Sequence, residues 1–269
     1  MSLTLASIHV YPVKSLGGFA VMEALLSDRG LEHDRRWMLV DPEGNFLTQR
    51  EHAAMACLHT SVYGNGFRVT DRRDGGTLDL PWIMAAGEER MCGIWSDRVR
   101  TIRGEEPWSK WFSERLGASV ELVYMPDRTK RHTDGRYAKG ITSLSDGFPY
   151  LVLSQASLDD LNSRLDQPVP MDRFRPNLVV SGGVAYQEDG WTEMHVGELT
   201  FQLVKPCGRC LIVTTDQQSG ERTKEPLRTM ATYRSRGAKV LFGMNAMGPV
   251  HGTIRVGDHI QAIQPAASC

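Results

Sequence analysis

The sequence predicts a mainly β chain with a few short helices, an α+β protein built from two barrel-like modules. Three observations lead there. Residues 55–104 break into short apolar runs separated by glycine turns, as at Gly64-Asn65-Gly66 and Gly75-Gly76. Strands punctuated by turns roughly every ten residues belong to barrels and sandwiches. Only three stretches carry a helical pattern. Residues 127–140 hold seven charged residues and one clear apolar anchor, the composition of a mobile loop that serves as lid or linker. A boundary there divides the chain into modules 1–126 and 127–265, with the first strand able to pack on the second module. A chain of 269 residues suits one large or two modest domains.

The elements follow in order. Leu3, Leu5, Ile8, Val10 and Val13 mark a first strand, and Pro12 with Gly17-Gly18 ends it. Lys14 and Ser15 then stand at a strand end beside free amides. Charge plus directed donors suit a phosphate there, although a solvated loop lysine reads the same way. A second strand covers Ala20–Leu26. Trp37–Val40 and Phe46–Thr48 form a hairpin about the turn Asp41–Asn45. Arg35 and Arg36 precede it and Arg50 follows, so one of the pair and Arg50 can face one anion, unless Glu32, Asp34 and Glu51 neutralise them. Pro107 opens and Gly117 closes the first helix, with Trp108, Trp111, Phe112 and Leu116 on its inner face.

After the strand Val120–Tyr124 and the charged segment comes a turn rich in donors, Ser143–Pro149, holding Ser145 and Asp146. The strand Tyr150–Leu153 leads into a helix beginning near Ser154–Ser157, with Leu158, Leu161 and Leu165 inward. Arg175 and Asn177 sit at the entrance of the strand Leu178–Val180. Asp189 is a candidate proton donor or base, and equally a surface acid. A hairpin tip at 216–220, a short helix from Pro226 to Tyr233, a strand through Leu241–Asn245 and a final strand–turn–strand at 251–260 complete the chain.

Lys+Arg number 31 and Asp+Glu 32, a net charge of −1, so nothing suggests a nucleic-acid polymer as partner. Five scattered cysteines do not form a disulfide framework. The N-terminus has no signal-peptide pattern, and no run approaches the ~18 apolar residues of a membrane span. A cytoplasmic protein without a membrane partner is expected.

The chemistry concentrates at Lys205–Thr215. Cys207 and Cys210 lie three apart in a Pro/Gly turn with Arg209 between them, and a β-branched run follows. This reads as strand, tight turn, strand, with Cys210 at the mouth of the second strand. A thiolate is stabilised by nearby cations and amide donors, which Arg209 and the turn supply. A structural zinc site needs four ligands, but Cys57, Cys92 and Cys269 are isolated. A thioredoxin-type pair opens a helix, whereas a strand is expected here. Inert buried thiols are the third reading. No dinucleotide fingerprint or Walker loop is present. The ends at Lys14/Ser15, Arg35, Ser145, Arg175/Asn177 and Arg209/Cys210 together suggest a phosphate-bearing cofactor ligated by a thiolate, with a soft or high-valent metal.

Several separated motifs carry a family resemblance: Tyr11-Pro12-Val13-Lys14-Ser15, Asp34-Arg35-Arg36-Trp37, Phe174-Arg175-Pro176-Asn177, Gly208-Arg209-Cys210 and Ile254-Arg255-Val256-Gly257-Asp258. In this order they resemble the MOSC-domain proteins, in the branch with an N-terminal MOSC β-barrel. That branch includes the amidoxime-reducing components and bacterial hydroxylaminopurine-reducing relatives. The resemblance spans essentially the whole chain.

It implies a molybdenum cofactor, a pyranopterin with a terminal phosphate and with or without an added nucleotide, whose metal is ligated by Cys210. Cys207 becomes the neighbouring non-ligand. Lys14, Ser15, Arg35, Ser145, Asp146, Arg175, Asn177, Gly208, Arg209 and Asn245 would hold the pterin and its phosphate. Gly208 and Asn245 stand where eukaryotic members have serine and tyrosine, which leaves backbone contacts there. Cys210 and Asp189 are the implied catalytic residues. The implied reaction is two-electron reduction of small N-hydroxylated compounds (amidoximes, hydroxylamines, N-hydroxylated bases). Electrons would come from a separate ferredoxin-, flavoprotein- or cytochrome b5-like protein, since no iron–sulfur domain follows the second module. A family-level association with pyridoxal phosphate binding is also implied. The alternative is a carrier that holds a persulfide or delivers the cofactor.

Overall fold

The computed structural model describes residues 2–264, so Pro265, the end of the second expected module, and Cys269 lie outside the described residues. The first strand, Leu3–Val10, alternates as expected and buries Leu5, Ile8 and Val10. It is a stave of a closed seven-stranded barrel. Around the barrel, Leu3–Val10 pairs with His259–Ile263 on one side and Leu178–Ser181 on the other. From His259–Ile263 the order continues through Glu193–Val196, Leu199–Arg209 and Lys239–Met247. Tyr150–Ser154 closes it, antiparallel to Lys239–Met247 and parallel to Leu178–Ser181. Closure removes the edges that an open sheet would expose. The barrel core holds Tyr150, Phe201, Met194, Trp191 and Ile260.

The stretch expected as one strand at Ala20–Leu26 breaks at Met22 into Phe19–Val21 and Glu23–Ser27. The first piece pairs with Leu3–Val10 and the second with Thr253–Arg255, so the first thirty-one residues are tied to strands from the far end of the chain.

The remaining strands form a half-barrel. Its four-stranded sheet runs Trp37–Val40, Glu121–Tyr124, Asp97–Arg103, Glu89–Ile94, and its three-stranded sheet Leu58–Tyr63, Gly66–Asp71, Thr77–Pro81. The helix Glu106–Leu116 covers it. Proline stands in its first turn, Gly117 ends it in the left-handed region (φ 62°), and Phe112 is fully buried. Trp37, Phe67 and Tyr124 fill the core between the sheets. The helix Gln155–Ser163 is capped by Ser154, whose Oγ accepts from the Ser157 amide at 3.1 Å. No helix among the described residues is long and apolar enough to cross a membrane.

Two local expectations are corrected. The run after Cys210 is a 3-10 turn, Leu211–Thr214, and the preceding strand runs unbroken to Arg209. Two short backbone bonds, Val213 N to Cys210 O and Thr215 N to Ile212 O, coil the segment. Val213 and Thr214 gain burial from the coil, which outweighs their β propensity. The charged segment 127–140 is not an unanchored loop. Arg131–His132 pairs with Ile141–Thr142. Arg131 itself is the anchor. It is buried, bonds Asp97 at 2.7 Å, and donates to the carbonyls of Ser143, Ser145 and Asp146.

Candidate functional site

Between the closed barrel and the half-barrel lies an open cleft of about 130 Å³. Every residue assigned to cofactor binding lines it: Lys14, Ser15, Arg35, Ser145, Asp146, Arg175, Asn177, Gly208, Arg209 and Asn245, together with Cys210.

The wall from the first part of the chain begins where the first strand ends. The Lys14 amide donates to Trp37 O at 2.8 Å, which ties the strand end to the half-barrel. Lys14 is 4% exposed and its Nζ meets Asp146 Oδ1 at 2.5 Å. Arg35 donates to buried Asp34 at 2.6 Å and to Asn177 Oδ1 at 2.9 Å. Asn177 in turn accepts from the Leu151 amide and donates to His9 O. Its amide is consumed in orienting Arg35. Tyr11 lies between two guanidiniums, Arg35 at 4.4 Å and Arg175 at 4.5 Å from its ring centre.

Three residues of this cleft, Ser15 (φ 68°), Arg35 (φ 47°) and Arg175 (φ 55°), adopt the left-handed region without being glycine. Such strain persists only where surrounding bonds over-determine it, and it gathers at functional sites. Here the Arg35 amide donates to Tyr11 O, the Leu144 amide to Arg35 O, and Gln49 Nε2 to Ser15 O.

The opposite wall is the end of Leu199–Arg209. Arg209 donates to Cys207 Sγ at 3.1 Å and to Phe174 O at 2.6 Å. Asn245 donates to Lys205 O at 3.3 Å. A Cβ on Gly208 would come no nearer than 3.5 Å to the Lys239 side chain, so packing does not demand glycine there. Ser145 spends its hydroxyl on Phe148 O and Thr142.

Charge is unbalanced in the cleft. Five cations line it, Lys14, Arg35, Arg50, Arg175 and Arg209, against one carboxylate, Asp146. Burial, with Asp146 pulling the other way, brings the Lys14 ammonium down to about 8. Burial and the neighbouring Arg35 bring Arg175 down to about 10. The Asp146 carboxyl is raised by desolvation but more strongly lowered by Lys14, Arg50 and Arg35, and stays below the usual carboxylate range. Bases pushed toward neutrality by burial, and further by neighbouring cations, are relieved by an anion. Arg175 Nη1 and Arg209 Nε are buried without any hydrogen-bond partner. Orphaned charged donors of this kind are costly unless a ligand completes them.

Two expectations change. Asp189 does not line the cleft. It pairs with Arg234 and borders a separate depression with Pro206, Tyr233 and Leu241. Its place on the 3-10 turn Gln187–Gly190 faces it toward the helix Leu227–Tyr233 and its exit, away from Cys210. Of the alternatives Arg35 and Arg36, only Arg35 enters; Arg36 is spent on Met125 O and Asp127.

Arg50, just past the returning hairpin strand, also lines the cleft. Its Nε donates to Cys210 Sγ at 3.3 Å, its Nη2 lies 3.8 Å from Asp146, and its guanidinium stacks on Trp95 at 4.6 Å. Arg222, donating to Gln49 O and Arg50 O, clamps this segment to the stretch after Cys210. The signal available in the sequence was the position of Arg50 just past the returning hairpin strand. Among the described residues, no group of three or more His, Cys, Asp or Glu side chains is placed to hold a metal ion.

Residues 2–119 match the model of the MOSC N-terminal beta barrel domain and residues 139–261 that of the MOSC domain. The mitochondrial amidoxime-reducing component 1 of Mus musculus is 33% identical over 96% of this chain and 81% of its own length. The Homo sapiens protein of that name is 31% identical over 96% and 82%. The molybdenum cofactor sulfurase of Oryza sativa is 34% identical over 89% of this chain, which spans only 32% of that larger protein. On the match of both domain models in order, and of relatives along nearly its full length, the chain belongs to the MOSC-domain family, in the branch with the N-terminal MOSC β-barrel.

Proposed function

We propose that the chain is a molybdenum-cofactor-dependent reductase of small N-hydroxylated compounds. The observation that carries this reading is the meeting, in one cleft, of the Cys210 sulfur, with Cys207 beside it, and a surplus of cations that includes two orphaned guanidinium donors. That donor set fits a ligand with an anionic phosphate end and a soft metal end. The name molybdenum cofactor sulfurase supports this cofactor, and the name amidoxime-reducing component supports the reaction.

In this reading Arg175, Arg35 and Lys14 bind the phosphate, and Ser15 and Gly208 offer backbone amides. Arg209 and Asn245 orient the pterin, and Cys210 ligates the metal. When bound, the cofactor supplies two-electron acceptance of an oxygen atom, chemistry that no side chain here provides. The chain's own residues hold the ligand, keep cations around it, and leave the mouth open to a small substrate. Overall, an N–OH group, two electrons and two protons give N–H and water. Asp146, held ionised by Lys14, Arg50 and Arg35, serves as the counter-ion to these cations.

The test is turnover of an aryl amidoxime with reduced methyl viologen as donor, using protein from a host that makes the cofactor. Wild type is expected to form the amidine and Cys210→Ala to lose at least about a thousandfold in rate while keeping its melting temperature, since a ligand to the reacting centre is removed. Equal rates would defeat the reading. The second reading, a persulfide carrier, is favoured by the likeness to the sulfurase and by two thiols sharing the cleft. It predicts a stable +32 Da adduct, about one sulfur atom, on Cys210 and no turnover.

A further inference from the structure

We infer that the hollow beside Arg50, walled by Trp95 and Phe46, seats the body of the substrate and selects N-hydroxylated compounds built on an aryl ring with a positively charged far end. The inference rests on the reductase reading and narrows its substrate class.

The hollow measures about 280 Å³, and Asp41, Phe46, Glu51, His52 and Trp95 are among its lining residues. A cavity of roughly 150 Å³ already holds benzene, so an aryl ring has room. The hollow abuts the cleft at two places. The Arg50 guanidinium lies 4.6 Å from the Trp95 ring centre, while its Nε donates to Cys210 Sγ at 3.3 Å. Lys14 Nζ, on the cleft side, lies 5.3 Å from the Phe46 ring centre. One guanidinium therefore spans the distance from the sulfur to the aromatic wall. The rim there is open: Arg50 is half-buried, and Leu211, next to Cys210, is 51% exposed. A substrate whose N–OH group reaches the Cys210 end from outside crosses this rim, and its body comes to rest in the hollow.

Trp95 is not held there by core packing, being 49% exposed. It takes the first position of the two-residue turn between Glu89–Ile94 and Asp97–Arg103, in the left-handed region (φ 54°). Such a position favours glycine, so a strained and exposed tryptophan is kept for what its ring contacts. Phe46 meets the ring at 4.9 Å, edge to face, and fixes its tilt, while Arg50 lies over it. The exposed part of the indole is left as an aromatic wall for a ligand ring. Charge reverses across Arg50. The cleft sets five cations against Asp146, whereas the residues lining the hollow include two carboxylates, Asp41 and Glu51, and no lysine or arginine. Asp41 accepts from the Asn45 amide at 2.7 Å and from its side chain at 3.0 Å. Glu51 is exposed and, among the described residues, its carboxylate forms no ion pair. A cation at the far end of a ligand is drawn to Glu51 and repelled by the cleft, which turns the neutral N–OH end toward Cys210.

The test uses the holoprotein, reduced methyl viologen and three substrates with one reactive group: acetamidoxime, benzamidoxime and 4-(aminomethyl)benzamidoxime. Trp95→Ala is expected to lower the kcat/KM ratio of benzamidoxime to acetamidoxime about tenfold, through KM, and Trp95→Phe to restore most of it. Glu51→Gln, a change on an exposed side chain, is expected to lower the ratio of 4-(aminomethyl)benzamidoxime to benzamidoxime about threefold. Binding of benzamidine, the product of the second substrate, is measured by calorimetry in the same proteins. An unchanged aryl-to-alkyl ratio in Trp95→Ala, or a fall carried by kcat alone, would overturn the inference. An unchanged second ratio in Glu51→Gln would overturn the selection of a charged far end. Benzamidine binding that Trp95→Ala weakens about tenfold, without turnover of any substrate in any of the proteins, would uphold the seat and reject the reductase reading. Benzamidine binding that Trp95→Ala leaves unchanged would overturn the seat whatever the turnover.

Discussion

The cleft around Cys210 and the depression around Asp189 both gather arginines and acids on neighbouring elements, yet they differ in how completely those charges are answered. Around Asp189 the charges are largely paired: Arg234 pairs with Asp189, Arg164 with Asp160, and Tyr186 bonds both Asp160 and Tyr233, which among the described residues leaves Arg236 without an ion pair and Asp189 Oδ1 without a hydrogen bond. Around Cys210 five cations face one carboxylate and two guanidinium nitrogens have no partner. A largely closed network holds a helix to a barrel. A surplus of fixed donors is kept only where something outside the chain completes it. The difference teaches that charge content alone does not mark a site; a large surplus of one sign does.

The comparison breaks most visibly if the orphaned donors are removed. Arg175→Gln with Arg209→Gln deletes two charge-assisted bonds, each about 1.5–3 kcal/mol. Cofactor retention, read from the fluorescence of released oxidised pterin, should fall at least about a hundredfold. The change should leave the melting temperature unaltered or raised, because like charges are removed.

A pH series sharpens it. Lys14 titrates at about 8 in the folded chain, against 10.5 when unfolded. Between those values the unfolded state binds more protons, so this group makes stability rise with pH across that window. Anion binding runs the other way and should weaken as pH rises through about 8, where Lys14 loses its charge. Calorimetry with inorganic phosphate at pH 7 and pH 9 measures this, and Lys14→Met should remove the step.

Asp189→Asn tests the closed network. Viologen-driven turnover should stay within about twofold, while urea unfolding should show a loss of about 1 kcal/mol, a partly exposed charged bond. The smallest effect is expected from Cys207→Ser, which keeps an acceptor for Arg209; pterin retention should change by less than about twofold.

Much of this was legible in the sequence because turns and strand ends announce themselves locally. Lys14-Ser15 and Arg175 each sit beside a proline at a strand boundary, Arg209-Cys210 lies where a strand that runs through Pro206 and Gly208 ends, and the barrel gathers these boundaries. Alternation in Leu3–Val10 gave its strand, but not its partner at His259–Ile263, because register across the whole chain leaves no local mark. Leu211–Thr214 misled because β-branched residues favour strands, and only the tertiary burial of Val213 and Thr214 coils them. Residues 127–140 misled because a charged residue, Arg131, is the buried anchor, bonded to carbonyls that composition cannot display. Asp189 misled because an acid's partner is a matter of space, and Arg234 lies forty-five residues away.

The most direct measurement is molybdenum per chain, by elemental analysis of protein from a cofactor-producing host, for wild type and Cys210→Ala. The account predicts close to one molybdenum in wild type and near none in the variant, with both folded. Zinc in place of molybdenum, or equal molybdenum in both proteins, would contradict the assignment of the cleft and of its sulfur.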